Sequence, residues 1–330
     1  MLRPVALFKN HVWLFFAILW CAGCDSKTAR PVDTSELEPD GGAPDSSTDS
    51  GEWTQDIPDE LHEDVVGDTP VDTIRLCNGS ESLCDTQFNE VVFAATHNAM
   101  SNETDGWLAP NQNFPMKQQL EDGIRAMLID TYFWNDLEVL CHGICEIGSR
   151  PLADAFAELV LFLEENPNEV VALLIEDHLD VDKTAAVFNE TGLTNLVYTH
   201  TPNTPWPTLG EMIDAGTRVV VTAENQGPPP TWYHHMWDLV FDTPYSFKSV
   251  DEFSCELNRG DAENDLFLLN HWLSTPLPTQ DGAKQVNQYD VLYTRAVQCM
   301  QTYGRKPNFV AVDFYSDGNL FDVVRDLNQL

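Results

Sequence analysis

Short apolar runs alternate with longer amphipathic segments along most of the chain. The apolar runs are rich in Val, Leu, Ile and Phe, which is typical of buried strands. The predicted strands are 91–95, 126–130, 170–175, 218–222, 239–242, 266–270 and 309–313. Segments with apolar residues at helical spacing lie between them, and the predicted helices are 116–122, 151–165, 182–190, 208–214 and 283–302. The second is the clearest, because Pro151 begins it and Leu152, Phe156, Leu159 and Leu163 share one face.

This alternation of strands and helices over residues 76–330 predicts an α/β fold built on a parallel sheet. The length suits a TIM-type (β/α)8 barrel, with room for distortion. A doubly wound open sheet is the alternative. That fold normally has a Gly-rich turn after its first strand, and the residues after 91–95 contain none.

The N-terminus has the pattern of a targeting signal. Arg3 and Lys9 precede an apolar run at residues 12–20 that is too short to span a bilayer. The run ends in Cys21-Ala22-Gly23-Cys24, which resembles a bacterial lipoprotein box, although Cys21 stands where that box usually has Leu. We expect residues 1–23 to be a lipoprotein-type signal peptide, with the membrane anchor at Cys24. An ordinary signal peptide cut near Ala22 is the alternative, and both predict export, to the cell envelope (outer membrane or cell surface) or beyond it.

Charge separates the next segment from the rest of the chain. The formal net charge is −36, and between Asp25 and Asp72 there are 15 Asp and Glu against only Lys27 and Arg30. Because such a composition cannot bury enough apolar surface to fold, residues 24–75 are predicted to be a disordered acidic linker. The charge excludes nucleic acid as a partner, which needs a positive surface, and argues against docking on an anionic bilayer.

Six cysteines remain once Cys21 and Cys24 are assigned to the signal and the lipid. An even number in an exported chain suggests disulfides. The pairs close in sequence are natural partners, which gives the pairing Cys77–Cys84, Cys141–Cys145 and Cys255–Cys299. The sequence leaves other connectivities open. A metal site is the competing interpretation, but no C-x2-C spacing occurs among these six.

Several predicted strands end in polar residues that a buried strand does not need. The residues at these ends are His97 and Asn98, Asp130, Glu176 with Asp177 and His178, and Asp313. In a barrel the carboxyl ends of the strands converge on one face, where active sites lie, so we expect a shared site. The structural alternative is that each residue caps the turn after its strand.

These residues have complementary chemistry. Asn98, Asp130 and Glu176 are oxygen donors of the kind that Ca2+ prefers, whereas His97 and His142 are imidazoles that exchange protons near neutral pH. A cation lowers the pKa of a bound hydroxyl and offsets charge on a phosphorane, while a histidine protonates the leaving oxygen. The set therefore predicts displacement at a phosphodiester, with calcium as the source of positive charge.

The order of the motifs resembles a known family. Four segments of the chain resemble the X region of phosphatidylinositol-specific phospholipases C (PI-PLC). They are Thr96-His97-Asn98, residues 119–125 leading to Asp130, His142-Gly143, and residues 166–171 leading to Glu176. Three further segments make the chain more similar still to secreted PLC-like phosphodiesterases of that superfamily. They are Cys77-Asn78-Gly79, Leu83-Cys84-Asp85 and residues 312–315. The resemblance covers residues 77–330. It implies a TIM-type barrel that cleaves inositol phospholipids or related glycerophosphodiesters on the glycerol side, through attack by the inositol 2-hydroxyl.

The resemblance also implies roles for single residues. Asn98, together with the lack of an Arg just after Asp130, is similar to the calcium-dependent branch, whose ligands match Asn98, Asp130 and Glu176. Leu128 stands where that branch has a Glu ligand, so one carboxylate is missing unless a bidentate Glu176 or Asp177 fills in. We take His97 as the general base. Asp313 matches an Asp that supports the first histidine in the metal-free branch, and we expect the chain to act on its phospholipid substrate as a monomer.

Two other functions remain open. A phosphodiesterase acting on sphingomyelin or lysophospholipids usually has a Glu-x-Asp pair near the second strand, and Leu128 argues against it. A catalytically inactive envelope binding module on the same fold is the other, because fold does not guarantee function. The presence of both His97 and His142 argues against that module. Of the remaining residues, His178 is expected to orient Glu176. His271 and Trp272, at the end of the predicted strand 266–270, either line the substrate pocket or have a structural role.

Overall fold

The computed structural model describes residues 74–274 and 277–330. The predicted signal peptide at 1–23, the lipid-modified Cys24 and nearly all of the linker at 24–75 lie outside the described residues. Within the two described ranges, no helix combines the length and apolarity needed to cross a membrane.

The strands form one curved sheet whose order follows the chain. The strands are β1 (Phe93–Thr96), β2 (Ala126–Trp134), β3 (Leu137–Cys141), β4 (Ser149–Pro151), β5 (Val171–Asp177), β6 (Val219–Ala223), β7 (Tyr233–His235), β8 (Val240–Asp242), β9 (Leu266–His271) and β10 (Phe309–Val312). Eight of them pair in parallel in the order β7-β6-β5-β2-β1-β10-β9-β8, and β3 and β4 extend β2 as an antiparallel hairpin. This is the order of a (β/α)8 barrel with an open seam between β7 and β8, which confirms the predicted fold class.

Helices cover much of the outside of the sheet. They are α1 (Met116–Asp122), α2 (Leu152–Glu165), α3 (Val181–Thr191), α4 (Leu209–Asp214), α5 (Gln280–Val286), α6 (Tyr289–Tyr303) and α7 (Leu320–Asn328). The predicted helix 283–302 is wrong as one element, because it is divided at Asn287 between α5 and α6. The buried Asn287 side chain donates to the Asp313 carbonyl at 2.9 Å, and Gln288 is extended. The sequence prediction missed α7 and the short strands β3, β4 and β7.

Alternate residues of each barrel strand face different apolar layers. In β2, Ala126 and Leu128 face the barrel interior, whereas Met127 and Ile129 pack against the helices outside. The lower interior is filled by aromatic and aliphatic side chains, among them Phe88. Because both faces are buried, the strands are continuously apolar instead of alternating with polar residues. Where the extended backbone continues past the end of a strand, a polar residue is therefore expected to face the interior if it has the same parity as the inward side chains.

The described part of the chain contains three disulfides, and they are the predicted pairs. Cys77–Cys84, Cys141–Cys145 and Cys255–Cys299 have Cα separations of 5.0, 5.1 and 5.1 Å. The third joins α6 to the irregular segment between β8 and β9. Three disulfides in one domain are consistent with an oxidising compartment.

His271 ends β9 on the outward face and is fully buried. Its Nε2 donates to the Val286 carbonyl at 2.9 Å, and its Nδ1 accepts from Arg295 at 3.2 Å. Burial, helped by the neighbouring Arg295 charge, lowers the pKa of His271 from 6.5 to about 3. Between about pH 3 and pH 6.5 the ring is therefore neutral in the folded protein, whereas the unfolded chain would carry the charge.

We expect acid to destabilise the fold through this residue. Below pH 6.5 the unfolded chain binds a proton that folded His271 does not, so stability falls as pH decreases, by about 2 kcal/mol between pH 7 and pH 5. Urea unfolding of the wild type and of His271→Gln at the two pH values measures this contribution, which the variant should lack. His235→Gln, at a histidine remote from Arg295, serves as the matched control. An unchanged pH dependence in His271→Gln would contradict the assignment.

Candidate active site

A cavity of about 440 Å³ lies at the carboxyl ends of the barrel strands. Its lining contains the six residues nominated as catalytic groups or metal ligands: His97, Asn98, Asp130, His142, Glu176 and Asp313. Asp177 and His178, which the strand ends also suggested, are not part of the lining.

Strand parity explains most of this convergence. His97 has the parity of the inward Phe93 and Ala95 of β1, and Asp313 has that of the inward Ala311 of β10. Asp130 and Glu176 lie side by side, as register partners of β2 and β5. Asn98 has the outward parity, yet it reaches the cavity because its left-handed backbone, with φ of 47°, turns the chain.

His97 is held by a buried carboxylate. Its Nδ1 lies 2.8 Å from Oδ1 of Asp313, which also accepts from Asn111 Nδ2 at 3.0 Å. An ionised carboxylate accepts hydrogen bonds only, so the proton of neutral His97 lies on Nδ1 and its Nε2 presents a lone pair to the cavity.

Two residues of the loop after β1 complete this support, and the sequence reasoning missed both. Gln112 Nε2 donates to the carbonyls of His97 at 2.7 Å and Val312 at 3.0 Å, which joins the ends of β1 and β10. Asn111 is buried against Asp313. Nothing in the sequence distinguishes these two amides from other polar loop residues.

His142 reaches the site through the hairpin that extends β2. Thr131 pairs with Leu140 of β3, so the chain returns beside Asp130 and places His142 there. The Cys141–Cys145 disulfide and the left-handed Gly143, with φ of 69°, shape the short loop that follows. His142 Nδ1 lies 2.9 Å from Asp130 Oδ2.

The Asp130–His142 pair shifts both of its members. The hydrogen bond to Asp130 raises the pKa of His142, which favours the imidazolium form. Burial raises the pKa of Asp130, although the hydrogen bond to His142 opposes this. The His142 ring is half exposed, so solvent also stabilises the imidazolium form that the raised pKa favours.

The two carboxylate–histidine pairs face a common point. The imidazole centroids are 6.4 Å apart with the rings inclined at 77°. Asn98 Nδ2 lies 3.1 Å from His97 Nε2 and 3.5 Å from His142 Nε2. One nitrogen able to accept a proton and one able to donate it thus flank the same small volume, which is the arrangement that concerted acid–base catalysis needs.

Glu176 and its neighbours divide between the cavity and the core. Glu176 is half exposed and accepts from His178 Nε2 at 2.8 Å, so His178 orients it as expected. Asp177 has the outward parity, is buried, and accepts from the Asn225 backbone N–H at 2.8 Å. Asp177 therefore does not take the place of a missing cavity ligand, and Leu128 lines the cavity where that ligand would stand.

The predicted calcium ligands have suitable chemistry but an incomplete arrangement. Asn98, Asp130 and Glu176 offer oxygens to one cavity, yet the Asn98 amide nitrogen faces the histidines and Asp130 is bound to His142. Across residues 74–274 and 277–330, no group of three or more His, Cys, Asp or Glu is placed to hold a metal ion. Ca2+ takes six to eight oxygen ligands. The residues as arranged do not complete a calcium site, so we derive no chemical step through this ion.

The opposite wall carries a charged group that the sequence reasoning did not nominate. Arg259 donates to Glu224 at 2.9 and 3.0 Å and to Asp242 at 2.6 and 3.0 Å, and its guanidinium packs on the Trp237 and Tyr245 rings. Burial raises the pKa of Glu224 to about 7 despite the Arg259 charge. Of the described residues lining the cavity, Arg259 is the only Lys or Arg.

Two members of this group had a usable signal, since Asp242 ends the predicted strand 239–242 with the parity of the inward Val240. Glu224 follows the predicted strand 218–222 and has the parity of its inward residues, so the rule that found Asp130 would also find Glu224. Arg259 lies in an irregular segment without such a pattern. Gly260 lets that segment approach β8, because its φ is 77° and a Cβ would lie 2.2 Å from the Val240 carbonyl oxygen.

Sequence comparison finds relatives that match about three quarters of this chain. An "Uncharacterized secreted protein" of Arthroderma benhamiae is 28% identical over 288 residues, covering 78% of this chain and 64% of its own length. A "PI-PLC X domain-containing protein 1" of the same fungus is 29% identical over 278 residues, covering 77% of this chain and 90% of its own. A PI-PLC X domain-containing protein of Arabidopsis thaliana is 28% identical, with 73% and 62% covered. The chain thus spans just under two thirds of the first and third relatives.

Solved structures are similar in fold. Two structures of the phosphatidylinositol-specific phospholipase C of Staphylococcus aureus align with TM-scores of 0.53 and 0.52, each at 14% identity. They cover 75% and 74% of this chain, and 95% of each solved chain. At that identity the likeness concerns the barrel alone. The family model described as PI-PLC X 1 matches residues 83–328, which include every residue of the two carboxylate–histidine pairs. The chain therefore belongs to the PI-PLC X family.

Proposed function

We propose that the chain is a phosphodiesterase of the PI-PLC type that cleaves inositol phospholipids or related glycerophosphodiesters. The observation that carries the proposal is the pair of carboxylate–histidine dyads, Asp313–His97 and Asp130–His142, whose Nε2 atoms both face Asn98. Membership of the PI-PLC X family supports the reaction class. A binding module gains nothing from two imidazoles oriented in this way.

The dyads divide the proton transfers between them. His97 Nε2 removes the proton of a headgroup hydroxyl, whose oxygen attacks the phosphorus and forms the new P–O bond. The P–O bond to glycerol breaks as protonated His142 donates its proton to the leaving oxygen. Asp313 stabilises the imidazolium that forms at His97, and the Asn98 amide donates a hydrogen bond to the reacting oxygens. The products are a cyclic phosphate and diacylglycerol.

Positive charge in the cavity comes from residues of the chain in this proposal. Protonated His142 lies beside the reacting group, and Arg259 lies on the far wall. Four carboxylates line the same cavity: Asp130, Glu176, Glu224 and Asp313. Calcium held by Asn98, Asp130 and Glu176 stays a prediction from the sequence, and the steps above do not depend on it.

A phosphodiester panel tests the function directly. The purified protein is assayed on phosphatidylinositol, phosphatidylcholine, sphingomyelin, a lysophospholipid and glycerophosphoinositol, each with added Ca2+ and with a chelator, and products are identified by 31P NMR. We expect a cyclic inositol phosphate from phosphatidylinositol. Turnover only of sphingomyelin or the lysophospholipid would favour the related phosphodiesterase, and no turnover of any diester would favour the inactive module. If the chelator abolishes activity and Ca2+ restores it, the reaction requires calcium in addition to the two dyads.

We also propose export with a lipid anchor at Cys24, which would keep the barrel near its phospholipid substrate. One relative is named as a secreted protein, and the three disulfides are consistent with export. Intact-mass measurement of the mature protein tests the anchor: a diacylglyceryl group on an N-terminal Cys24 supports it, and a free N-terminus near Gly23 contradicts it.

A further inference from the structure

Trp272 lies flat against His97. The indole and imidazole centroids are 3.8 Å apart and the ring planes differ by 6°. Trp272 directly follows β9, has the inward parity of Leu268, and is buried with 5% of its surface exposed. His97 is therefore fixed at one edge by Asp313 and on one face by Trp272.

The stacking on Trp272 restrains a motion of the His97 ring that the hydrogen bond to Asp313 allows. The torsion that rotates an imidazole ring is broad, and a single hydrogen bond at Nδ1 still lets the ring plane tilt around that bond. Tilting moves Nε2 away from Asn98 and from the volume that His142 shares. A closely stacked indole opposes the tilt, because any change in the plane separates the two ring faces or makes them collide.

We infer that Trp272 is a positioning residue for the reaction, which holds the His97 ring in the plane where its Nε2 meets the attacking hydroxyl. This inference rests on the proposed function, because it assumes that His97 is the base. It assigns to Trp272, which follows β9 beside the end of β10, a role in the orientation of the base instead of in substrate contact alone.

The end of β9 is itself anchored from behind. Arg295 of α6 is buried and donates to the Asn270 carbonyl at 2.6 Å, to His271 Nδ1 at 3.2 Å and to the Ser254 carbonyl at 3.1 Å. Its guanidinium lies 4.2 Å from the Phe253 ring centroid. Among the described residues no carboxylate lies within ion-pair distance of Arg295, so its charge is balanced by these carbonyls and rings. Displacing residues 270–271 would leave a buried cation unsatisfied, which keeps the backbone beneath Trp272 in place.

The test compares two substitutions at Trp272. Phe retains a flat face for stacking, whereas Leu fills much of the space without one. On phosphatidylinositol in mixed detergent micelles, we expect W272L to lower kcat about 10- to 100-fold with little change in KM, and W272F to stay within about 3-fold of wild type. Equal losses in both variants would reduce Trp272 to a packing role. A raised KM with unchanged kcat would make it a substrate-contact residue. Either result overturns the inference.

A second measurement does not depend on turnover. In the NMR spectrum the His97 Hε1 resonance, identified by its absence in His97→Ala, should be shifted upfield by the indole ring current and move downfield in W272L. An unmoved resonance shows that the stack is absent and overturns the inference. His97→Ala also separates the two proposals. If it remains active, the proposed function fails. If it is inactive while W272L keeps full kcat, only the positioning role fails.

Discussion

His97→Ala protein should fold normally and lose about 10³- to 10⁴-fold in kcat on the diester that the wild type cleaves. General base catalysis by a positioned histidine contributes about 10²- to 10⁴-fold, and this ring also takes up the charge that Asp313 stabilises. His142→Ala should show a loss of similar size, because the leaving oxygen then departs without a proton. Steady-state rates with 31P NMR identification of the product measure both.

Three further variants make this result specific. The double variant His97→Ala/His142→Ala should be little slower than either single one, since residues that act in one step give non-additive losses. Asp313→Asn keeps the shape but lets an amide N–H oppose His97 Nδ1, which favours the wrong tautomer and should cost about 10²-fold or more. His235→Ala, outside the cavity lining, is the control and should remain active. Full activity in His97→Ala would contradict the proposed mechanism.

Arg259→Met should destabilise the fold by about 3 to 5 kcal/mol, the largest stability effect that we expect from a single substitution. Arg259 joins Glu224 after β6 to Asp242 at the end of β8, and so bridges the seam where β7 and β8 do not pair. Although the Arg259 side chain is partly exposed, its removal leaves the charge of buried Asp242 without an ionic partner. Asp242 is fully buried, so without Arg259 its carboxylate would have to bind a proton or move out to solvent.

Urea unfolding at pH 7 measures this loss, with two variants for comparison. Arg325→Met removes an exposed arginine paired with Asp322 and Asp326, so the urea midpoint of this variant should stay close to that of the wild type. Arg259→Lys retains the charge but cannot form the two-sided hydrogen bonds with both carboxylates, and should fall between wild type and Arg259→Met. A loss below about 1 kcal/mol in Arg259→Met would show that the seam does not depend on this bridge.

Most of the barrel could be predicted from the sequence because its strands are buried on both faces. A continuous apolar run such as 170–175 stands out from its surroundings, and every predicted strand is present within a few residues of its expected bounds. The errors occur where local pattern and tertiary contacts compete. The helical spacing of 283–302 continues through Asn287, but that side chain is drawn to the Asp313 carbonyl and the helix divides there. Strands of three residues, such as β7, are too short to have a pattern.

The candidate site follows the same division. The polar residue after an apolar strand is visible in the sequence. Because alternate residues of a strand point to opposite faces, its position relative to the inward residues indicates which way it faces. This separates inward Glu176 from outward Asp177, and inward Trp272 from outward His271. The sequence did not indicate how near the groups come to each other, as in the approach of the Asn98 amide nitrogen to both histidines.

By itself the sequence indicated the parallel barrel and nominated a carboxyl-end site containing His97, Asp130, Glu176 and Asp313. These follow from short-range periodicity, which each segment carries on its own. Only the tertiary structure decided the partners of those residues. The β2–β3 hairpin brings His142 to Asp130, the loop after β1 brings Asn111 to Asp313, and the ends of β9 and β8 bring Trp272 to His97 and Asp242 to Arg259. The physical reason is that these contacts join segments far apart in the chain, and no local pattern records the register and curvature that bring them together.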